Sequence, residues 1–197
     1  MFSLNIKIAH HELNTFLKTY QNIDKFLPYC KQCNNYNHKW SCPPLSFEPQ
    51  NYLAKYQYIY LVAVQINYDQ TTIDSLTTKE DVTLFTRKIL RQIKNQTAMK
   101  LLSLEQLYPH TLSLSSGGCS YCCKCSRINN LPCKKPDKMR YSLDSFGIDL
   151  GAVTEKIFDI KLLWSLDKLP KYHTLIHALV SQEILNEKNI LNYINKI

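Results

Sequence analysis

The chain has 197 residues, of which 45% are hydrophobic and 20% are charged, and both values are typical of a globular protein. Its longest clean apolar run, Ile59–Val64, is too short to span a bilayer, and the first residues lack the apolar region and cleavage pattern of an export signal. We therefore expect a cytoplasmic protein with no membrane partner and a single domain over residues 1–197.

The formal charge of +8 is a feature of proteins that bind nucleic acid, but it counts every cysteine as neutral. If seven of the eight cysteines become thiolates, the protein contributes only +1, which weakens the nucleic-acid inference. Eight cysteines in a chain without an export signal favour metal or redox chemistry over a disulfide framework.

The N-terminal elements are a short strand and an amphipathic helix. Leu4–Ala9 is predicted as the strand, and apolar residues recur at helical spacing over Glu12–Leu27. Pro28 is expected to end this helix because proline cannot continue the backbone hydrogen-bond ladder.

The first cysteine group comprises Cys30, Cys33 and Cys42, and it admits two interpretations. With His38 as a fourth ligand, the group is close to a zinc knuckle, a module that binds single-stranded RNA. With the three cysteines alone, it would bind a second cluster and leave one metal ion open to a substrate, an exogenous ligand or another cysteine. His38 is also consistent with an ordinary surface histidine.

The middle of the chain predicts a buried strand and a long helix. Tyr58–Ile66 is β-branched, aromatic and apolar nearly throughout, which is typical of a central strand. Thr77 and Glu80 form a possible capping box before a helical pattern that starts near Val82, and Asn95–Thr97 could interrupt it. A strand at Thr111–Ser115 then leads into Gly117 and Gly118.

The second cysteine group is the most informative stretch of the sequence. Cys119, Cys122 and Cys125 are each separated by two residues, and Cys133 follows a proline. One continuous run of three cysteines with a distal fourth beside proline resembles the ferredoxin pattern, whereas zinc sites usually combine two separate pairs. The sequence therefore favours an iron–sulfur cluster, with zinc as the alternative. Cys123 directly follows Cys122 and does not fit this spacing.

Six basic side chains lie in or beside this loop: Lys124, Arg127, Lys134, Lys135, Lys138 and Arg140. They either balance the negative charge of a thiolate-ligated cluster or form an ordinary solvated surface.

After this loop, Ser142–Phe146 is predicted as a helical turn that Gly147 ends. A helix from Asp149 to Phe158, a strand at Tyr172–Val180 and a helix at Gln182–Ile197 complete the chain, and His177 is predicted to be a core histidine. The alternation predicts an α/β (or α+β) fold, a small mixed sheet flanked by helices.

Taken together, the two cysteine groups resemble a cysteine-rich family of predicted metal-binding proteins of bacteria and archaea, a domain of unknown function. The resemblance rests on motifs that occur in the family's order: Cys30, Cys33, Tyr36, then Trp40-Ser41-Cys42-Pro43-Pro44; Gly117, Cys119, Cys122, Cys125, Pro132, Cys133 and Pro136; and Ser142-Leu143-Asp144-Ser145-Phe146-Gly147-Ile148-Asp149-Leu150. Asn37 replaces the usual glycine of a turn, and His38 and Cys123 are additional to the pattern. The resemblance implies metal binding by the seven pattern cysteines, with an iron–sulfur cluster expected, and no defined reaction.

Three functions remain open from the sequence. The first is an electron-transfer or redox protein with one or two iron–sulfur clusters, expected to be [4Fe-4S], and a redox partner protein. The second is a zinc-stabilised structural or nucleic-acid-binding module. The third is an enzyme that binds a small-molecule substrate at an open cluster site, with His38 and Asp144 as candidate acid–base groups.

Overall fold

A four-stranded antiparallel sheet forms the centre of the protein, in a computed structural model that describes residues 1–196. Its strands, in the spatial order β1-β2-β4-β3, are β1 (Phe2–Glu12), β2 (Tyr58–Tyr68), β3 (Thr111–Leu114) and β4 (Tyr172–Ser181). All four strand predictions are confirmed, with small changes in bounds. The α/β fold class is confirmed too, but the four strands pair only antiparallel, so the expectation of a mixed sheet is corrected.

Helices cover both faces of this sheet. Their bounds are α1 (Leu13–Tyr20), α2 (Ile23–Gln32), α3 (Pro49–Leu53), α4 (Gln70–Ser75), α5 (Lys79–Leu107), α6 (Leu150–Phe158) and α7 (Glu187–Ile194), with 3₁₀ turns at Ser126–Asn129 and Leu143–Phe146. No helix within residues 1–196 is both long and apolar enough to cross a membrane.

Strand β2 is buried on both sides because alternate side chains enter two different cores. Ile59, Leu61 and Ala63 pack with α1, α6 and the second 3₁₀ turn. The intervening Tyr60 and Val62 pack with α5 and α7. This explains the continuous apolar run in the sequence, since a strand exposed on one face would alternate with polar residues.

The helix predicted over Glu12–Leu27 is in fact two helices. The chain is extended at Gln21, which bridges to Ile148, and Asn22 caps α2 by accepting a 2.9 Å hydrogen bond from the Lys25 amide. Pro28 lies inside α2 rather than ending it. The break therefore occurs where a tertiary bridge and a capping asparagine combine, and not at the proline.

Three further bounds differ from the predictions. Thr78, not Thr77, caps α5 by accepting from the Asp81 amide at 3.1 Å, and α5 continues without interruption through Asn95–Thr97. The last helix begins at Glu187 instead of Gln182. Residues 182–186 are held to the sheet, where the Leu185 amide donates to the Tyr60 hydroxyl at 2.5 Å, and Asn186 caps the helix. Ile197, the last residue of the predicted helix, lies outside the described residues.

The fold delivers both cysteine groups to one region. Helix α2 carries the chain into the first group, and β3 carries it into the second. The turn at Leu143–Phe146, the φ of +73° at Gly147 and the start of α6 after Asp149 agree with the predictions for this segment. His177 is fully buried on β4, which confirms it as a core histidine.

Candidate metal centre

The first cysteine group lies at the C-terminal end of α2 and in the turn that follows. Cys30 is in the last turns of the helix, Cys33 is its C-terminal cap, and Cys42 follows a tight turn. Asn37 adopts the left-handed φ of +54° and donates its amide to the Pro43 carbonyl at 2.8 Å. Asparagine tolerates this conformation, so its replacement of glycine leaves the turn intact.

These three cysteines line one cavity of about 310 Å³. Asp144 contributes a carboxylate to the same wall, and the Ser142 hydroxyl donates to that carboxylate. Phe26, Tyr29, Tyr36 and Ile148 supply the apolar and aromatic remainder of the lining. The cavity therefore combines three thiols and one carboxylate with mostly apolar walls.

Burial controls the thiol chemistry of this group. It raises the pKa of Cys42 to about 11, and the pKa of Cys30 is also raised, first by burial and then by the Asp144 charge. Without a metal, both thiols therefore stay protonated at neutral pH. The amide of Asn35 lies 3.5 Å from the Cys33 sulfur and donates to it, an arrangement that suits a thiolate ligand.

The second cysteine group surrounds a smaller cavity of about 40 Å³. Cys119, Cys122, Cys125 and Cys133 all line it, and so does the exposed Cys123. Gly117 turns the chain into this loop with a φ of +60°. The pKa of Cys119 is raised by burial, although an amide hydrogen bond from Tyr121 opposes the rise.

Arg127 holds the two cysteine loops together. Its guanidinium is buried and donates to the carbonyl oxygens of Lys39 at 2.9 Å, Cys42 at 2.7 Å and Pro44 at 2.6 Å. It also lies 5.1 Å from the centre of the Trp40 ring. A side chain from the second loop thus fixes the backbone of the first.

Two further contacts join the loops directly at Cys119. Its amide donates to the Ser41 hydroxyl at 2.7 Å, and its carbonyl accepts from the Lys39 ammonium at 2.7 Å. Sequence reasoning gave neither Lys39 nor Ser41 a role. The only signal was the position of Ser41 inside the Trp-Ser-Cys-Pro-Pro motif.

The basic residues of the loop fall into two kinds. Arg127 donates to backbone carbonyls of the first loop, and Arg140 forms an ion pair with Glu105 at 2.5 Å. Lys124, Lys134, Lys135 and Lys138 are exposed. Two of the six basic side chains therefore stabilise the loop itself, while four face solvent.

The four-ligand zinc-knuckle arrangement is not assembled in the structure. His38 is exposed, its Nδ1 lies 3.0 Å from the Asn34 carbonyl, and it lines neither cysteine cavity. Within residues 1–196, no three cysteine, histidine or acidic side chains converge closely enough to hold an ion. The cysteines are grouped rather than converged, so metal binding requires their side chains to turn into each cavity.

The donor set nevertheless fits a metal that prefers sulfur. All eight cysteines are free thiols and line the two cavities, the seven pattern cysteines among them, and the Asn35 amide donates to the Cys33 sulfur. Paired loops rich in free thiols define a cysteine-rich metal-binding protein as the class.

The comparison with protein families agrees with this class. Residues 17–176 match the family described as predicted metal-binding protein (DUF2284), and the chain belongs to that family. No curated protein and no solved structure matches the chain. The matched residues include both cysteine groups, and the family description defines neither the metal nor a reaction.

Proposed function

We propose that the protein is an iron–sulfur protein with an electron-transfer or redox role in the cytoplasm. The observation that carries the proposal is the division of the seven pattern cysteines between two neighbouring cavities, four around one and three around the other. Eight free thiols also suit a reducing compartment.

The four-cysteine loop would hold a [4Fe-4S] cluster through Cys119, Cys122, Cys125 and Cys133. Cys30, Cys33 and Cys42 would hold a second cluster with one iron not bound by cysteine. When bound, such clusters accept and release single electrons. The chain's own contribution is to supply thiolate ligands, to donate amide hydrogen bonds to sulfur and to fix the two loops against each other through Arg127.

Zinc is the alternative at both sites, in a structural or nucleic-acid-binding module. Iron–sulfur is favoured because the second group is one continuous run with its fourth cysteine beside a proline, whereas structural zinc sites usually take two separate pairs. The structure also keeps His38 out of the first cavity, which removes the ligand that a zinc knuckle would need there.

The test is anaerobic purification with iron, acid-labile sulfide and zinc measured on one sample beside an absorption spectrum. We expect a brown protein in which sulfide matches iron. Cys125→Ala should remove about half of the iron, because the other cavity keeps its three ligands. Cys123→Ala, in the same loop, is the matched control and should retain all of it. A colourless protein with stoichiometric zinc would contradict the proposal.

A second candidate function is catalysis at the three-cysteine cavity. The supporting observation is that this cavity, at about 310 Å³, has room for a small ligand and carries the Asp144 carboxylate. Asp144 would hold a proton or a cationic group of a substrate there. If the iron is open, adding cyanide to the reduced protein should change its electron paramagnetic resonance spectrum. An unchanged spectrum would argue for complete protein ligation.

A further inference from the structure

The positive charge of the protein is concentrated in one stretch of the chain. Residues 82–140 contain eleven of the 24 basic residues and only two of the 16 acidic residues, a formal charge of +9. The remaining residues together carry −1. This stretch includes most of α5 and the entire second cysteine loop.

The fold brings the two halves of this stretch together. The Lys94 ammonium of α5 donates to the Gly118 carbonyl at 2.7 Å, and Asn95 accepts from the Ser120 hydroxyl at 2.6 Å. The Arg91 guanidinium lies 3.5 Å from the Ser120 carbonyl. The outward side of α5 is therefore continuous with the cysteine loop.

Seven exposed basic side chains make up this region, which we call the basic surface: Arg87, Lys88, Arg91, Lys124, Lys134, Lys135 and Lys138. Within residues 1–196 none of them forms an ion pair, whereas Lys25 and Lys79 elsewhere pair with Asp149 and Asp167. Of the two acidic residues in the stretch, Glu105 is already paired with Arg140. The charge of the basic surface is thus left without an internal partner.

We propose that the basic surface is the docking site of an acidic electron-carrier protein, which approaches over the second cysteine loop. The electron-transfer part rests on the proposed function, while the docking itself depends only on the surface. Complementary charge steers such partners together and raises the association rate. Arg87, Lys88 and Arg91 lie along one exposed face of α5, which gives the carrier a contact surface on this helix.

Apolar exposure favours a protein over a nucleic acid as the partner. Ile128 and Leu131 in the cysteine loop are 54% and 53% exposed, so an aliphatic patch adjoins the lysines as in protein interfaces. Binding to single strands depends instead on exposed aromatic faces. Trp40, the tryptophan beside the cysteine loop, lies against the Arg127 guanidinium and donates its indole N–H to the Leu131 carbonyl at 3.1 Å. Trp164, which is 75% exposed, adjoins only the α5 part of the basic surface, where Ser165 contacts Thr86.

The experiment compares two variants of the metal-loaded protein, each with two basic residues replaced by glutamate. Arg87→Glu with Lys88→Glu changes the α5 part of the basic surface and leaves both cysteine loops untouched. Lys18→Glu with Lys55→Glu makes the same charge change at exposed positions beside α1 and Tyr56, which pack on the other face of the sheet. The probe is a flavodoxin, an acidic one-electron carrier, and its dissociation constant is measured at low and high salt beside that of a short single-stranded RNA.

We expect the first variant to bind the flavodoxin about tenfold more weakly than the wild type at low salt, and the control variant to bind it as the wild type does. Equal binding by both variants, no binding by the wild type, or tighter binding of the RNA would overturn the proposal. Metal content keeps the two proposals separate. Zinc in place of iron with intact flavodoxin binding would contradict only the redox function, and iron with no binding would contradict only the docking surface.

Discussion

At Gly147 the backbone allows only glycine, for two separate reasons. Its φ is +73°, and a Cβ atom placed there would lie 2.7 Å from the Ile23 Cα. The close approach exists because the Gly147 carbonyl accepts the Asn22 amide at 2.8 Å, next to the bridge between Gln21 and Ile148. This residue thereby joins the motif containing Asp144 to the start of α2.

We expect Gly147→Ala to lower the free energy of unfolding by at least about 2 kcal/mol, because the left-handed conformation and the clash with backbone both oppose a methyl group. Urea denaturation measures this. Gly151→Ala is the control: there the nearest atom, an Asp149 carboxylate oxygen, would be 3.4 Å from the new Cβ, and alanine favours the helix. Equal stability of the two variants would contradict the packing argument.

The two cysteine loops depend on Arg127 for their relative position. One side chain satisfies three carbonyl oxygens that lie 83 to 88 residues earlier in the chain. A planar guanidinium can direct several N–H groups in fixed directions, which a lysine cannot do. The first loop therefore has its shape only when the second is in place.

We expect Arg127→Met to destabilise the protein by roughly 3 kcal/mol, since it leaves buried carbonyls without donors. It should also reduce metal binding at both cysteine groups, although it removes no ligand. Lys135→Met, which removes only a 3.3 Å hydrogen bond to the Tyr121 carbonyl at an exposed position, should change stability by less than about 0.5 kcal/mol. Denaturation and metal analysis of both variants test this; full metal content in Arg127→Met would show that the loops are positioned independently.

Elements that carry their own local signal were predictable from the sequence. Tyr58–Ile66 is apolar and β-branched enough to specify a central strand, and Asp149 before an apolar run marked the start of α6. The breaks that were missed depend on distant partners. Gln21 bridges to Ile148, and the segment before α7 is held by Tyr60. The local signals for these two breaks were only the capping residues Asn22 and Asn186, and the distant partners could not be read from the sequence.

For the site, the cysteine spacing predicted which residues would be grouped, because knuckles close over a few residues. It could not predict whether the groups form one cavity or two, since 76 residues separate Cys42 from Cys119. Nor could it separate Arg127 from the solvated lysines around it, because its acceptors belong to the other loop. That the seven cysteines bind metal remains a prediction.

Two buried histidines on β4 link the stability of the protein to pH. Burial lowers the pKa of His173 to about 4 and that of His177 to about 3. Both are therefore neutral in the folded protein and take up a proton more readily when it unfolds, where the ordinary pKa is about 6.5. Their contribution to stability is complete above pH 6.5 and is lost as the pH falls toward the folded pKa values.

The variant His173→Gln tests this directly. In the wild type, acidification from about pH 7 to about pH 5 is expected to lower the free energy of unfolding by about 2 kcal/mol for each of the two histidines. The variant is less stable at pH 7, because His173 bonds to the Tyr68 and Ser165 hydroxyls at 2.9 and 3.0 Å, but it should lose about 2 kcal/mol less on acidification. Urea denaturation with a chelator present keeps metal release from contributing, and the exposed His38→Gln should follow the wild-type curve. Parallel curves for wild type and His173→Gln would mean that the acid sensitivity arises elsewhere, with His177 on the same strand as the next residue to replace.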